Sequence, residues 1–142
     1  MSKQVNHKHH HCHRRREQRF EATLNGAQEV PPVTTDATGT GTFLLDKKRR
    51  RLVYAVAFAG LSTPFVAAHF HLGAPGVNGP VLEPIEDVQL TADDTAGAAT
   101  GVWQRLTRAE IKAIRANGVY VNVHSEQFPN GEIRGQVTAL LL

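Results

Sequence analysis

The segment FVAAHFHL, residues 65–72, decides the fold, because apolar residues alternate in it with two histidines as they would along one β-strand. Successive side chains of a strand point to opposite faces of its sheet. One face is predicted to enter the core through its four apolar residues, Val66, Ala68, Phe70 and Leu72. The other face carries His69 and His71 side by side, so two ionisable rings are predicted to leave the core together.

The rest of the chain consists of short apolar segments separated by Gly, Pro and Asn, a pattern typical of an all-β sandwich or barrel. Further strands are predicted at 19–25, 39–46, 51–59, 99–106, 118–125 and 131–139, with a weak one near 86–91. A capping box at Thr107–Glu110 and a stop at Asn117-Gly118 predict one helix of about three turns. The segment 73–87, rich in Gly and Pro, is expected to be a long surface loop.

The length of 142 residues fits one domain, and the composition sets its first residues apart. Residues 1–18 are rich in His and Arg and lack apolar periodicity, which predicts a flexible arm before a domain at 19–142. Residues 1–19 have a net charge of +5, which leaves −2 on the remainder. A slightly acidic body does not favour a specific nucleic-acid surface, although the basic arm is able to contact an anionic partner.

The basic run at residues 47–51 lies between two predicted strands. It is interpreted as a solvated hairpin turn rather than a patch for nucleic acid or an acidic partner, because no aromatic residues are interleaved with it.

Neither a signal peptide nor a membrane span is predicted, because no apolar run has the required length. The single cysteine, Cys12, excludes a disulfide within the chain. We therefore expect a soluble cytoplasmic protein by default, with association with a coat or surface as the alternative. The sequence permits a homo-oligomer and points to no particular protein partner.

Two later strands offer a polar face of the same kind. By parity, the side chains that leave the core there are Tyr120, Asn122, His124, Glu132, Arg134 and Gln136. A hairpin through Pro129-Asn130-Gly131 would place His124 beside Glu132 and Asn122 beside Arg134, within about 5 Å. If the strand 65–72 lies next to the strand 118–125 in the sheet, His69 and His71 converge on His124.

The constellation of His69, His71 and His124 predicts a metal site. Neutral imidazoles on an exposed, rigid surface suit copper or zinc, with a fourth position left for water or another ligand. The alternative is that these histidines only hydrogen-bond to neighbours, and the shared parity favours the metal site. Candidates for contacts to the rings or to an anion are Asn122, Glu126, Glu132 and Arg134. For the arginine, an ion pair with either glutamate is the alternative.

The arm offers a second, independent metal candidate in HKHHHCH, residues 7–13. Its potential ligands are dense enough to chelate copper or zinc without a fold: His7, His9, His10, His11, Cys12 and His13. An expression tag is the alternative explanation. A tag is usually an uninterrupted run of histidines, and Lys8 and Cys12 interrupt this one, so a native segment is favoured.

Several motifs in combination resemble the CHRD domain, the module named after chordin. They are Glu29-Val30-Pro31-Pro32, Ala37-Thr38-Gly39, His69-Phe70-His71, Asn122-Val123-His124 and Gly131-Glu132-Ile133-Arg134-Gly135-Gln136. The resemblance covers residues 19–139 and implies an antiparallel β-sandwich.

The order of a His-x-His strand, a Gly-rich loop, a Val-x-Val-His strand and a Gly-x-x-Arg-Gly strand is also similar, more distantly, to copper,zinc superoxide dismutase. The two resemblances imply an antiparallel Greek-key sandwich or barrel, superoxide dismutase-like or immunoglobulin-like. By the second, His69, His71 and His124 are copper ligands and Arg134 stands near the arginine that guides the anion. The bridging and zinc-site histidines of that enzyme have no counterparts, since no histidine lies between His71 and His124.

We therefore expect a metal-binding, non-catalytic β-sandwich in which three body histidines hold copper or zinc and the arm recruits or buffers the same metal. Two alternatives stay open. One is a copper-only, superoxide dismutase-like enzyme in which Arg134 steers the anion. The other is a structural or adhesive coat module whose histidines are incidental.

Overall fold

A computed structural model describes residues 17–140. In this range the chain forms ten β-strands, one 3-10 turn at Gly26–Gln28 and one α-helix. The elements in chain order are β1 (Glu17–Asn25), β2 (Thr38–Asp46), β3 (Arg51–Ala59), β4 (Phe65–Leu72), β5 (Val81–Pro84), β6 (Gln89–Leu90), β7 (Gly97–Trp103), α1 (Arg108–Arg115), β8 (Val119–Ser125), β9 (Ile133–Gln136) and β10 (Thr138–Ala139).

The strands form one antiparallel sheet in the order β5-β4-β8-β9-β1-β2-β3-β7-β6, with β10 paired to β1. This sheet curls into a half-barrel, so that β3 faces β4 across the interior. The ring centroids of Tyr54 on β3 and Phe70 on β4 lie 5.2 Å apart, which shows how closely the two halves pack. The predicted all-β fold with a single short helix is confirmed.

Phe70 lies at the centre of the core. It is fully buried, and its ring contacts Phe43 at 6.0 Å and Trp103 at 5.1 Å between centroids, in addition to Tyr54. These aromatic contacts join β2, β3 and β7 to β4, which is the strand that carries the histidine pair. The core therefore fixes the position of that pair from behind.

The ends of β4 differ from the prediction. Val66 and Leu72 were expected inside, but Val66 is 55% exposed and Leu72 is exposed as well. The pairing of β4 with β8 shifts register between Phe65 and Ala67, so Val66 has no partner there, and Leu72 ends the strand. Only the middle of β4, at Ala68 and Phe70, lies over the core.

The segment predicted as a long loop contains an additional strand. β5 pairs with β4 through Val81 opposite His71 and Pro84 opposite His69. Pro80 precedes this strand and Pro84 ends it, and proline is tolerated on an edge strand because one side needs no hydrogen bonds. The loop proper is thereby shortened to residues 73–80.

Three other element boundaries were predicted inaccurately. β7 ends at Trp103 because the chain turns at Arg105, whose φ is positive. The predicted strand 131–139 is divided into β9 and β10, and between them Val137 donates its N–H to Val119. The weak strand near 86–91 is reduced to Gln89–Leu90.

The helix α1 has eight residues, fewer than expected, and its capping box is confirmed. The Thr107 hydroxyl accepts from the Glu110 N–H at 3.0 Å, and the Glu110 carboxylate accepts from the Thr107 N–H at 2.8 Å. Asn117 has a φ of 61° and ends the helix, while Ile114 buries its side chain in the core.

β1 begins two residues before the predicted strand 19–25, since Glu17 and Gln18 pair with Asp46 and Leu45 in the sheet. The remainder of the arm, including all of its candidate ligands, lies outside the described residues. No helix among residues 17–140 has the length and apolar character needed to cross a bilayer.

We predict that Phe70→Ala lowers the free energy of unfolding by about 3–5 kcal/mol, because it removes a ring that fills the centre of the core. The control on the same strand is Val66→Ala, whose side chain is exposed and whose effect should be below about 1 kcal/mol. Urea denaturation followed by tryptophan fluorescence measures both. Equal effects of the two substitutions would contradict a core centred on Phe70.

Candidate metal centre

The three histidines of residues 17–140 meet on the sheet face opposite the core. β4 contributes His69 and His71, and the adjacent strand β8 contributes His124, which pairs with Ala67. One potential ligand atom from each ring lies within 4.8 Å of the others. The residues that strand parity placed together are therefore brought together by the structure.

Hydrogen bonds define which nitrogen of each ring is available. His71 Nδ1 lies 2.9 Å from the carbonyl oxygen of Gly79, and His124 Nδ1 lies 2.8 Å from that of Pro129. A carbonyl oxygen only accepts, so in the neutral tautomer the proton lies on each Nδ1 and the lone pair on each Nε2. The His71 Nε2 is buried and has no hydrogen-bond partner. An orphaned acceptor of this kind fits a metal ligand.

His69 is turned the other way. Its Nδ1 lies 3.2 Å from the Nε2 of His124, so it is this nitrogen that faces the cluster. The candidate ligand atoms are therefore His69 Nδ1, His71 Nε2 and His124 Nε2.

The site is more buried than the sequence predicted. His71 and His124 are 8% and 9% exposed, and His69 is half-buried. The expectation of an exposed surface was wrong because two loops, 73–80 and 126–131, fold over this face and supply the carbonyl groups of Gly79 and Pro129.

Burial also keeps two of the rings, those of His69 and His124, in the neutral form that binds metals. It lowers the pKa of His69, and the neighbouring imidazoles of His124 and His71 add to this effect. Burial lowers the pKa of His124 as well, with His71 acting in the same direction and the hydrogen bond to Pro129 opposing it. Both rings are therefore neutral near pH 7 and have a lone pair to donate.

Tyr120 supports the site from β8. Its ring stacks on that of His71 at 4.9 Å between centroids, with an angle of 6° between the planes. Its hydroxyl accepts a hydrogen bond from the Gly79 N–H at 3.1 Å. The guanidinium of Arg134 lies 3.5 Å from the centre of the same ring, from the β9 side. Arg134, Tyr120 and His71 thus form one continuous stack that fixes the orientation of the His71 ring.

Arg134 holds the covering loop to the sheet. It is 1% exposed, and its Nη2 donates to the Ala74 carbonyl and to Gln136 Oε1, both at 2.9 Å, while Nη1 contacts Asn78 Oδ1 at 3.4 Å. These partners replace the ion pair with Glu126 or Glu132 that was the alternative expectation. Its cross-strand position opposite Asn122 is as predicted.

The two glutamates considered as ring partners lie elsewhere. Burial would raise the pKa of Glu132, but hydrogen bonds from Ser125, Thr35 and Ser62 hold it below its usual value. This carboxylate therefore joins three separate segments and contacts none of the rings. Glu126 is exposed, and its described hydrogen bond is from its main-chain N–H to the Pro64 carbonyl.

Asn122 lies between His69 and Arg134 in the sheet. Its Nδ2 is 3.5 Å from the Asn130 carbonyl, and its buried Oδ1 has no hydrogen-bond partner. It is close to the site, although no hydrogen bond joins it to a ring.

Sequence reasoning missed Glu29 as a member of this region and noted it only within the Glu-Val-Pro-Pro motif. Its side chain is 6% exposed, and its Oε2 has no hydrogen-bond partner. It approaches Asn122 across Gly131: a Cβ at Gly131 would lie 2.5 Å from Glu29 Oε2 and 2.6 Å from Asn122 Nδ2. Together with Arg134 it lines a cleft of about 310 Å³. Burial raises the pKa of Glu29 from 4.5 to about 7, and the charge of Arg134 opposes this shift.

The protein is therefore a β-domain with a candidate metal centre. Its three histidines form a half-buried cluster on the sheet beneath two loops. The sequence model of the CHRD domain matches residues 20–137, and the chain belongs to the CHRD domain family.

We predict that Glu29→Gln stabilises the protein at pH 8 by about 2 kcal/mol. Between pH 4.5 and 7 the folded state keeps a proton that the unfolded state has released, so stability falls as the pH rises through this range. The full shift corresponds to about 3 kcal/mol, and solvent in the cleft reduces it. Glutamine is neutral throughout, so the difference from the parent protein should vanish towards pH 4.5.

Thermal and urea unfolding between pH 4.5 and 8 measure this difference. Glu21→Gln, which removes an exposed carboxylate from β1, controls for the change in net charge. A difference that does not change with pH would contradict a raised pKa for Glu29.

Proposed function

We propose that this CHRD domain binds one copper or zinc ion through His69 Nδ1, His71 Nε2 and His124 Nε2. The observation that carries the proposal is the arrangement of three imidazole nitrogens within 4.8 Å, two of them on rings whose other nitrogen is bonded to a carbonyl. Such second hydrogen bonds orient metal-ligating histidines and strengthen their donation. Imidazole ligands suit copper and zinc better than magnesium or calcium.

The surroundings of the three rings suit a site that holds a metal ion better than a site that catalyses a reaction. Within residues 17–140, the ring nitrogens hydrogen-bond to carbonyl groups and to one another, and no acidic or basic side chain reaches them. Arg134 is buried and bonded to the covering loop, so its guanidinium is not free to guide an anion to the fourth position. The superoxide dismutase-like alternative therefore lacks the cation on which it was based.

A bound ion would cross-link β4 to β8 on the face opposite the core. Because this face is covered by loops, the ion would also hold the closed arrangement of those loops through the Gly79 and Pro129 carbonyl groups. Metal binding is then expected to raise the stability of the folded domain.

The arm is proposed to capture the same metal independently of the body site. Its six candidate ligands are His7, His9, His10, His11, Cys12 and His13. The arm joins β1 at Glu17, which pairs with Asp46, whereas the other end of β1, at Asn25, pairs with Arg134 beside the site. Along β1 these two ends are about 27 Å apart, so the described chain enters the domain at the end of β1 opposite the cluster.

We predict about one equivalent of zinc or copper in a full-length variant whose five arm histidines are replaced by alanine and whose Cys12 is replaced by serine. Adding His71→Ala and His124→Ala to this variant should abolish binding, since one ligand cannot hold the ion alone. Calorimetric titration and elemental analysis after purification without nickel resin measure the stoichiometry. With copper(II), electron spin resonance should show coupling to imidazole nitrogens.

The matched control is the same arm variant with Val66→Ala and Glu126→Ala, two exposed residues on or next to β4 and β8, which should still bind one equivalent. Circular dichroism confirms that each variant is folded. Retention of one equivalent without His71 and His124 would refute the proposed site.

A further inference from the structure

A cleft lined by arginines lies at the end of the sheet far from the histidines. It has a volume of about 370 Å³, and its lining residues are Arg49, Arg50, Arg51, Gln104, Arg105 and Leu106. The Leu106 N–H donates to the Arg50 carbonyl at 2.9 Å, so the turn between β2 and β3 and the segment after β7 are held together there. The fold thus brings Arg105 next to the basic run 47–51, which the sequence predicts to form a hairpin turn.

Two of these arginines adopt an unfavourable backbone conformation. Five residues other than glycine have a positive φ within residues 17–140. Three are Asp87, Asp94 and Asn117, whose short polar side chains are tolerated in the left-handed region. The other two are Arg50, with φ of 54°, and Arg105, with φ of 59°, and both line this cleft.

Glycine would adopt these two conformations with less strain. Packing does not explain why arginine occupies these two positions, because both side chains are exposed. The two positions therefore carry long cationic side chains at the expense of backbone stability, which is typical of residues kept for binding.

Charge in the cleft is only partly neutralised. Asp46 accepts from Arg49 at 3.0 Å and lies 3.9 Å from Arg51. Within residues 17–140 no ion pair involves Arg50 or Arg105.

We propose that this cleft binds a chain of phosphate groups, with Arg50 and Arg105 as the principal ligands. The planar fork of a guanidinium matches two phosphate oxygens, and two such forks lining one cleft suit successive phosphates. Among residues 17–140 no aromatic side chain lines the cleft, so this part of the chain offers no platform on which bases would stack. A phosphate chain, either free or as part of a nucleotide, is therefore favoured over single-stranded nucleic acid.

Calorimetric titration of the full-length protein with inorganic tripolyphosphate, in the presence of a chelator, tests the proposal. One equivalent should bind, with an affinity that decreases as salt is added. Arg50→Gly with Arg105→Gly should weaken binding at least about tenfold and leave the melting temperature unchanged or raised, because glycine relieves the two positive φ angles. Lys112→Gln with Arg115→Gln removes the same charge from exposed positions on α1 and should change the affinity less than about twofold.

Titrations with ATP and with an oligouridine identify the source of the phosphate chain. Equal affinity for ATP and tripolyphosphate supports recognition of the phosphate chain alone, and tighter binding of ATP supports a nucleotide. If the glycine variant does not fold, Arg50→Gln with Arg105→Gln replaces it, and the same loss of affinity is expected. The proposal is overturned if tripolyphosphate does not bind, if oligouridine binds more tightly, or if the α1 variant loses as much affinity as the cleft variant.

Discussion

The candidate site depends on the close approach of one loop to β4. At Gly79 the main chain lies so near this strand that a Cβ would overlap the carbonyl oxygen of Leu72, and glycine alone fits. This approach brings the Gly79 carbonyl to His71 Nδ1 and the Gly79 N–H to the Tyr120 hydroxyl. The tautomer and the orientation of a candidate ligand are thus set by a main-chain contact.

The loop is in turn held by buried polar groups. Burying these groups would cost free energy if they had no hydrogen-bond partners. Arg134 is fully desolvated, and its partners on the loop, Ala74 and Asn78, compensate for the water it loses. Glu132 is likewise buried and is satisfied by hydroxyl groups from three segments. A polar layer therefore lies between the sheet and its covering loops, and the histidines belong to it. Because each member needs its partners, loosening one of the loops would expose several polar groups at once.

The convergence of the histidines was predictable because strand parity is a property of the backbone and does not depend on distant residues. The short hairpin through Pro129 likewise fixed the register, so that Asn122 faces Arg134 as expected. The burial of the site was not predictable, since it arises from loop residues such as Gly79 whose positions follow no local pattern. For the same reason the hydrogen bonds of Arg134 to the covering loop were not predicted, and a contact to an anion or an ion pair with a glutamate was expected instead. Glu29 is far from the site in sequence, and only the fold brings it to Asn122.

The strain at Arg50 and Arg105 also had no sequence signal, since arginine in a turn is compatible with an ordinary negative φ. The run at 47–51 was correctly placed in a hairpin turn, yet its neighbour Arg105 comes from a different part of the chain. The composition shows that the chain carries many arginines, but only the fold shows that Arg105 lies beside the arginines of the turn.

The two free edges of the sheet have a consequence for self-assembly. β5 is bounded by Pro80 and Pro84, which have no N–H to donate, so this edge offers no long row of unpaired N–H groups. At the other edge β6 has two residues and pairs only with Gly97 and Ala98 of β7. Strand-by-strand addition of other copies, the route to fibrils, is therefore hindered at the β5 margin.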